Sequence, residues 1–222
     1  MEQTPIHDQH NPDLLNIIPR SARHIIEIGC SSGALAREFK KISPSANWFG
    51  VEIDPGYATL AQRFCDQTLV ADIEACDDHF YRAHAHRDCW VFGDTLEHFK
   101  DPWAVLRKIR QVIPATGCIA ACIPNAQHWS VIVRLATGDF RYEPSGLLDQ
   151  THLRWFTRKT LIELFQSQGF QVVAGVPRRF HEPNRDTFWP WLTQLAQLTG
   201  AKDEQMLQDM LPLQYVVRAV PV

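Results

Sequence analysis

Charge of one sign is scarce in this chain. The 22 Lys and Arg residues face 25 Asp and Glu, leaving a formal net charge of −3. That balance supplies no basic field for a phosphate backbone, so a nucleic acid is not expected as the main partner. Long apolar runs are missing as well. No stretch reaches the roughly 20 residues needed to span a bilayer, so stable membrane insertion is not expected. The opening segment, Met1 to Asn11, is polar and holds no apolar signal core. The cysteines, Cys30, Cys65, Cys76, Cys89, Cys118 and Cys122, include no C-x-x-C pair, which argues against a zinc ribbon or a redox dithiol. Cys89, Cys118 and Cys122 lie in apolar runs, where cysteine behaves as a small hydrophobe. All six are expected to be reduced thiols of a cytoplasmic protein. Internal repeats and low-complexity segments are absent.

What is present is the composition of a globular chain, 45% hydrophobic and 21% charged over 222 residues. That length suits one domain, 1–222, with small insertions. Short apolar runs alternate with helical patterns, which predicts a mainly parallel sheet with helices on both faces. The expected strands are His24–Gly29, Asn47–Glu52, Thr68–Ala71, Asp88–Gly93, Cys118–Ile123, Phe170–Val176 and Leu213–Val220. Several are apolar almost throughout, as strands covered on both faces are. Helices are expected over Ala34–Lys41, Gly56–Cys65, Pro102–Ile113 and Arg158–Gln168, the last closed by Gly169. Residues 125–157 and 177–212 break the rhythm. Long insertions at a sheet's carboxyl edge usually cover a ligand, so both are expected to help form a substrate chamber.

The strongest local signal is Glu27-Ile28-Gly29-Cys30-Ser31-Ser32-Gly33, set between a strand and a helix as a nucleotide loop must be. Gly29 permits a sharp turn, and Gly33 permits close approach at the start of the next helix. Glu52 ends the second strand 23 residues after Gly29, where a carboxylate can accept both hydroxyls of a ribose. Asp72 ends the third strand 20 residues later and could receive an adenine amino group. A nicotinamide fingerprint needs glycines where Ser31 and Ala34 stand, which favours S-adenosylmethionine (SAM) over NAD.

These residues resemble the motifs of class I SAM-dependent methyltransferases. Glu27 to Gly33 is similar to the first motif, Gly50-Val51-Glu52-Ile53-Asp54-Pro55 to the second, and Val70-Ala71-Asp72-Ile73 to the third. The run Asp88 to His98, followed by Asp101-Pro102, is similar to the fourth, and Ile123-Pro124-Asn125 with His128 follows the fifth strand. Gly146-Leu147-Leu148-Asp149-Gln150-Thr151-His152-Leu153-Arg154-Trp155-Phe156-Thr157 resembles a subgroup of small bacterial methyltransferases of polysaccharide or secondary-metabolite pathways. The resemblance implies a Rossmann-like α/β fold. Its seven-stranded sheet would run in the order 3-2-1-4-5-7-6, with strand seven antiparallel. It implies SAM as cofactor and S-adenosylhomocysteine (SAH) as product. By position, Glu27, Gly29, Cys30 and Gly33 would line the methionine end, Glu52 and Ile53 the ribose, Asp72 and Ile73 the adenine, and Gly93 and Asp94 the sulfonium. The sequence departs from the pattern at Ser31, which replaces a glycine, and at Asn11, where relatives often carry Arg.

Methyl transfer is an in-line displacement in which SAM supplies electrophile and leaving group, so the protein mainly aligns and desolvates. A hydroxyl acceptor must also lose a proton, and histidine suits that task. His98 follows the fourth strand and is the first candidate, with His152 and His128 next. Asp149 and Tyr142 are further polar candidates. Arg178, Arg179 and Arg185 could meet an anionic group on the acceptor, and Trp155, Phe156, Phe188, Trp189 and Trp191 could roof it. Glu97-His98 suggests a metal pair, but no matching ligand spacing completes a site, so no metal is expected. The expected activity is O-methylation of a small or sugar-like acceptor by a monomer or homodimer. N-methylation, a non-catalytic SAM- or SAH-binding module, and a nicotinamide oxidoreductase are the alternatives.

Overall fold

The computed structural model describes residues 8–199 and 204–222. Its sheet has seven strands in the order β3-β2-β1-β4-β5-β7-β6. These are β1 (His24–Ile28), β2 (Asn47–Glu52), β3 (Gln67–Val70), β4 (Cys89–Gly93), β5 (Cys118–Pro124), β6 (Phe170–Arg178) and β7 (Gln214–Pro221). The first five are parallel, and β7 runs antiparallel to both β5 and β6. A register shift between Val172 and Ala174 bends the β6–β7 pair.

The helices are α1 (Pro12–Ile17), α2 (Ala34–Ile42), α3 (Pro55–Ala61), α4 (Asp78–Ala83), α5 (Pro102–Val112), α6 (Trp129–Ala136), α7 (Arg158–Gln166), α8 (Arg185–Leu198) and α9 (Gln205–Asp209). Prolines open three of them at positions where the missing N–H costs nothing: Pro12, Pro55 and Pro102. The preceding Asn11, Asp54 and Asp101 accept hydrogen bonds from the first-turn amides. Thr157 and Thr160 form a reciprocal cap at the start of α7.

Two cores fill the faces of the sheet. One gathers Ile26, Ile28, Trp90, Phe92, Leu106 and Phe165 under α5 and α7. The other gathers Leu14, Ile25, Phe39, Trp48, Cys89 and Val216 under α1 and α2. The central strands β4 and β5 are buried along almost their whole length, which is why they read as continuous apolar runs.

Two sequence expectations need correction. The helix expected over 56–65 is Pro55–Ala61, and tight turns carry the chain from there to β3. The polar stretch around Asp77 to His86 contains α4, with Asp77, Asp78, His79 and His86 exposed. Asp77 caps that helix, and Tyr81 enters the core 1% exposed. The second insertion starts later than 177, because β6 continues through Arg178. The two insertions meet in a satellite core of Trp129, Leu192 and Met210, with Phe188 and Trp189 packed against it. Asn125 fastens them to the sheet: its side-chain amide donates to the carbonyls of Asp209 and Pro212, both at 2.8 Å.

Candidate active site

The carboxyl ends of β1, β2 and β3 are tied together by hydrogen bonds. The amides of Gly29 and Cys30 donate to the Val51 carbonyl at 2.8 and 3.2 Å, and the amide of Ala71 donates to the Glu52 carbonyl at 3.0 Å. The buried Glu52 carboxylate takes three backbone amides, from Ser31 at 2.8 Å, Ile53 at 2.8 Å and Asp54 at 3.1 Å. An acid at the end of β2 therefore shapes the loop after β1. Asp72 follows Ala71 directly, is exposed, and accepts from the Glu74 amide at 2.9 Å. Gly29, Glu52 and Asp72 thus share one edge of the sheet.

The loop is strained into shape by three consecutive-alternate residues with positive φ: Gly29 at 75°, Ser31 at 47° and Gly33 at 77°. Ser31 adopts the left-handed conformation that glycine would take most easily. A Cβ on Gly29 would stand 2.8 Å from Thr95 Oγ1, and one on Gly33 would stand 3.1 Å from Ala61 Cα. Gly33 is thereby required by the close packing of α3, a reason distinct from the ligand approach that its position suggested. Thr95, for which the sequence carries no distinctive signal, donates from its hydroxyl to the Ile28 carbonyl at 3.0 Å and so links the β4 loop to β1.

Other expected cofactor contacts are placed as follows. Glu27 is buried and accepts from Trp48 Nε1 at 3.0 Å, and burial pushes its carboxyl pKa well up. Cys30 is buried beside Cys65, whose proximity together with burial pushes its thiol up. Ile53 is 51% exposed, an uncovered apolar side chain next to Glu52, whereas Ile73 is 3% exposed and packs into the core. Gly93 lies against Leu14 of α1, and Asp94, at φ 54°, accepts from Gln214 Nε2 at 2.6 Å. Asn11 serves as the cap of α1.

Beyond β4, a 3-10 turn over Leu96–His98 carries Glu97 and His98. The Gly146–Thr157 segment folds back onto it, with the amides of Leu153 and Arg154 donating to the Glu97 carbonyl at 2.8 and 2.9 Å. The rings of His98 and His152 meet edge to face with centroids 4.8 Å apart. His98 Nδ1 stands 3.0 Å from Thr151 Oγ1 and 3.2 Å from the Thr151 carbonyl, while Thr151 Oγ1 donates to Asp149 at 2.6 Å. His152 Nδ1 faces the Leu147 carbonyl at 3.3 Å. Burial holds the pKa of His98 below the usual range and, with the neighbouring His98, lowers that of His152 to about 4. Both rings are therefore neutral near pH 7.

His128 lies apart from this pair in its bonding. It is fully buried, with Nδ1 2.8 Å from Ser130 Oγ and Nε2 3.1 Å from Glu182, which also accepts from Trp129 Nε1 at 2.6 Å. Nε2 thereby joins the two insertions, while Nδ1 is held within the first. Arg178 pairs with Asp13 at 2.9 Å, Arg179 reaches Gln208, and Arg185 pairs with Asp186. Phe156 is buried in the main core. Trp155 instead joins Phe140 and Tyr142 in an exposed aromatic group. Trp191 is also exposed.

A parallel Rossmann-like sheet closed by an antiparallel β7, with acids at the ends of β2 and β3, defines the architecture of the class I methyltransferases. Residues 9–174 match the Methyltransferase domain family, and the chain belongs to that family. No curated protein matches the sequence. Solved structures share the fold at low identity. The O-methyltransferase NcsB1 of neocarzinostatin biosynthesis, solved with SAM and 2-hydroxy-5-methyl naphthoic acid, is 15% identical with a TM-score of 0.57. The match covers 91% of this chain but only 50% of NcsB1, so the chain spans half of that enzyme's length. A SAM-dependent methyltransferase of Thermotoga maritima, described as a possible histamine N-methyltransferase, is 16% identical with a TM-score of 0.61, over 94% of this chain and 86% of its own. One from Mesorhizobium loti is 14% identical with a TM-score of 0.59, over 94% and 96%. No helix among the described residues is long and apolar enough to cross a membrane.

Proposed function

We propose that this methyltransferase uses SAM to methylate a hydroxyl of a small or sugar-like acceptor, releasing SAH. The observation that carries the reading is the Glu52 carboxylate fixing the Gly29–Gly33 loop and the end of β2 into one cradle. In this reading the cradle holds the adenosyl group, with Glu52 and Ile53 at the ribose and Asp72 at the adenine. Gly29, Cys30 and Gly33 shape the methionine end, Glu27 and Ile73 support it from beneath, and Gly93 and Asp94 border the sulfonium. When bound, SAM supplies an activated methyl group and its leaving group.

The protein's task is then to orient the acceptor and ease loss of its proton. We assign that task to His98 and His152, which meet one turn beyond β4 and are held in the neutral form. His128 is assigned to positioning, since both its nitrogens serve the Ser130 and Glu182 contacts. Residues 125–157 and 177–212 act as the roof of a single catalytic unit, and the enzyme is a cytoplasmic monomer or homodimer. The test is a radiolabelled SAM assay over a panel of hydroxylated and amine acceptors. Transfer to hydroxyls with a His98→Ala loss of about 10²-fold or more in kcat supports the proposal. SAM binding with no transfer to any acceptor, or full activity of His98→Ala on amines alone, overturns it.

A further inference from the structure

Glu97 is an anomaly that the methyl-transfer reading does not use. Glu97 is 1% exposed, and neither carboxylate oxygen makes a well-formed hydrogen bond to a described residue, only its own backbone amide lying near enough to help. A buried carboxylate without donors is costly, and native structures almost always satisfy such a group. Its surroundings add to the cost, because Asp94 and Asp149 lie close enough to act on it electrostatically. The side chain nearest to it in charge terms is His152, whose Nε2 stands 3.9 Å from Oε1. That is too far for a hydrogen bond.

The two histidines are not supplied with protons for Glu97. The Thr151 hydroxyl gives its proton to Asp149, so His98 Nδ1 must be the donor toward the Thr151 hydroxyl and carbonyl. His152 Nδ1 faces a carbonyl and must donate there. Each neutral ring therefore keeps its lone pair on Nε2, fixed by a partner on the opposite nitrogen, which is the arrangement that orients metal-ligating histidines. One ligand atom each from Glu97, His98 and His152 lie within 4.8 Å of one another.

We propose that Glu97, His98 and His152 form a three-ligand site for a divalent transition-metal ion, with open positions toward the acceptor. Two imidazoles and one carboxylate suit Zn2+, Mn2+, Fe2+ or Co2+. Metal–ligand distances of about 2.0–2.2 Å place ligand atoms roughly 3–3.5 Å apart, so edges of the triangle that now reach 4.8 Å close by about 1.3–1.8 Å on binding. The ion would neutralise the buried carboxylate and take oxygen donors of the acceptor at its open positions. With both Nε2 lone pairs on the ion, His98 and His152 would ease loss of the acceptor's proton through it and not as free bases, so the inference rests on the role proposed for these histidines. The site follows from side chains alone and stands whether or not SAM occupies the cradle. Ligand spacing in the sequence predicts no metal site, because His152 is 54 residues from His98 and only the fold brings them together.

The test uses the full chain, stripped with chelator and titrated separately with Co2+ (followed by its visible spectrum) and Mn2+ (followed by calorimetry). SAM is titrated into the same samples. Saturable binding of a single ion, lost in Glu97→Gln and His152→Ala, is expected. Thr151→Val, which removes the group orienting His98, should bind about 10- to 100-fold more weakly while keeping its circular dichroism and melting profile. No saturable binding of either ion, or equal binding in Glu97→Gln, overturns the site. Loss of SAM binding by the unaltered protein counts against the cofactor reading alone.

Discussion

At the residue scale, the loop after β1 is set by side chains that each answer one geometric demand, Gly29, Ser31 and Gly33 all taking positive φ. Gly29 was recognisable because a sharp turn had to follow β1, and its φ of 75° bears that out. Ser31 was recognisable only as a departure. In the structure it takes φ 47°, a conformation costing a non-glycine residue of order 1 kcal/mol. Replacing it with glycine relieves that strain but adds freedom to the unfolded chain. Ser31→Gly is accordingly expected to raise the melting temperature slightly, and calorimetry checks it. Gly29→Ala has no such allowance, since its Cβ would stand 2.8 Å from Thr95 Oγ1 at an unfavourable φ; it should destabilise the protein and weaken SAM binding together. Thr95 is not readable as a support, because a threonine that joins two strand ends leaves no pattern in sequence, whereas Asp149, equally credible as a loop-ordering group, does order Thr151. Glu97 was visible as a residue but not as a buried, unsatisfied carboxylate, a property that only packing creates.

The same scale carries a pH prediction. Burial, helped by Arg87, lowers the pKa of His84 to about 4, and His152 is lowered to about 4 as well. Above pH 6.5 these rings are neutral in folded and unfolded chains alike, and their contribution to stability is fully present. As pH falls toward 4 the unfolded chain takes up protons that the folded rings refuse, so that contribution is lost. Glu27 and Glu97 act with the opposite sign, since burial raises their pKa and favours the folded state's protonated form on acidification. The histidine share is isolated by substitution. His84 packs against Phe49 and Phe80 with ring centroids 4.4 and 4.6 Å away. His84→Leu should therefore lose less melting temperature than the unaltered chain between pH 6.5 and pH 4; an equal loss in both would show that His84 does not titrate as described.

At the element scale, strands β1, β2, β4 and β5 were legible because burial on both faces forces continuous apolar residues. The edge strand β3 is largely exposed, and only its spacing from β2 marked it. Helices with a proline start and an apolar stripe, such as α5, were equally plain. The short α1 and α4 were not, because two turns hold too few residues for a period to emerge. Helix α8 carries Pro190 in its interior, which argues against a helix locally and is overridden by packing in the satellite core. That core makes a prediction of its own. Leu192 is fully buried among the two insertions, so Leu192→Ala should cost on the order of 2 kcal/mol or more. If the insertions form the acceptor roof, the variant should raise KM for the acceptor while SAM affinity holds, as steady-state kinetics with separate SAM titration would read.

At the scale of the whole molecule, the strand order could not be obtained from composition or periodicity. It came from the resemblance, and the sheet order β3-β2-β1-β4-β5-β7-β6 agrees with it. The antiparallel β6–β7 pair brings Gln214 back to Asp94, so the last strand of the chain touches the loop after β4. The same closure lets Arg178 at the end of β6 pair with Asp13 of α1. The account therefore rests on the edge where β1, β2 and β3 end. The most direct measurement is calorimetric titration of SAH and NAD into the unaltered protein and into Glu52→Ala, with folding of the variant verified by circular dichroism. The account predicts saturable SAH binding by the unaltered protein, at least 10-fold weaker binding by Glu52→Ala, and no binding of NAD. Saturable NAD binding, or SAH affinity indifferent to Glu52, would contradict it.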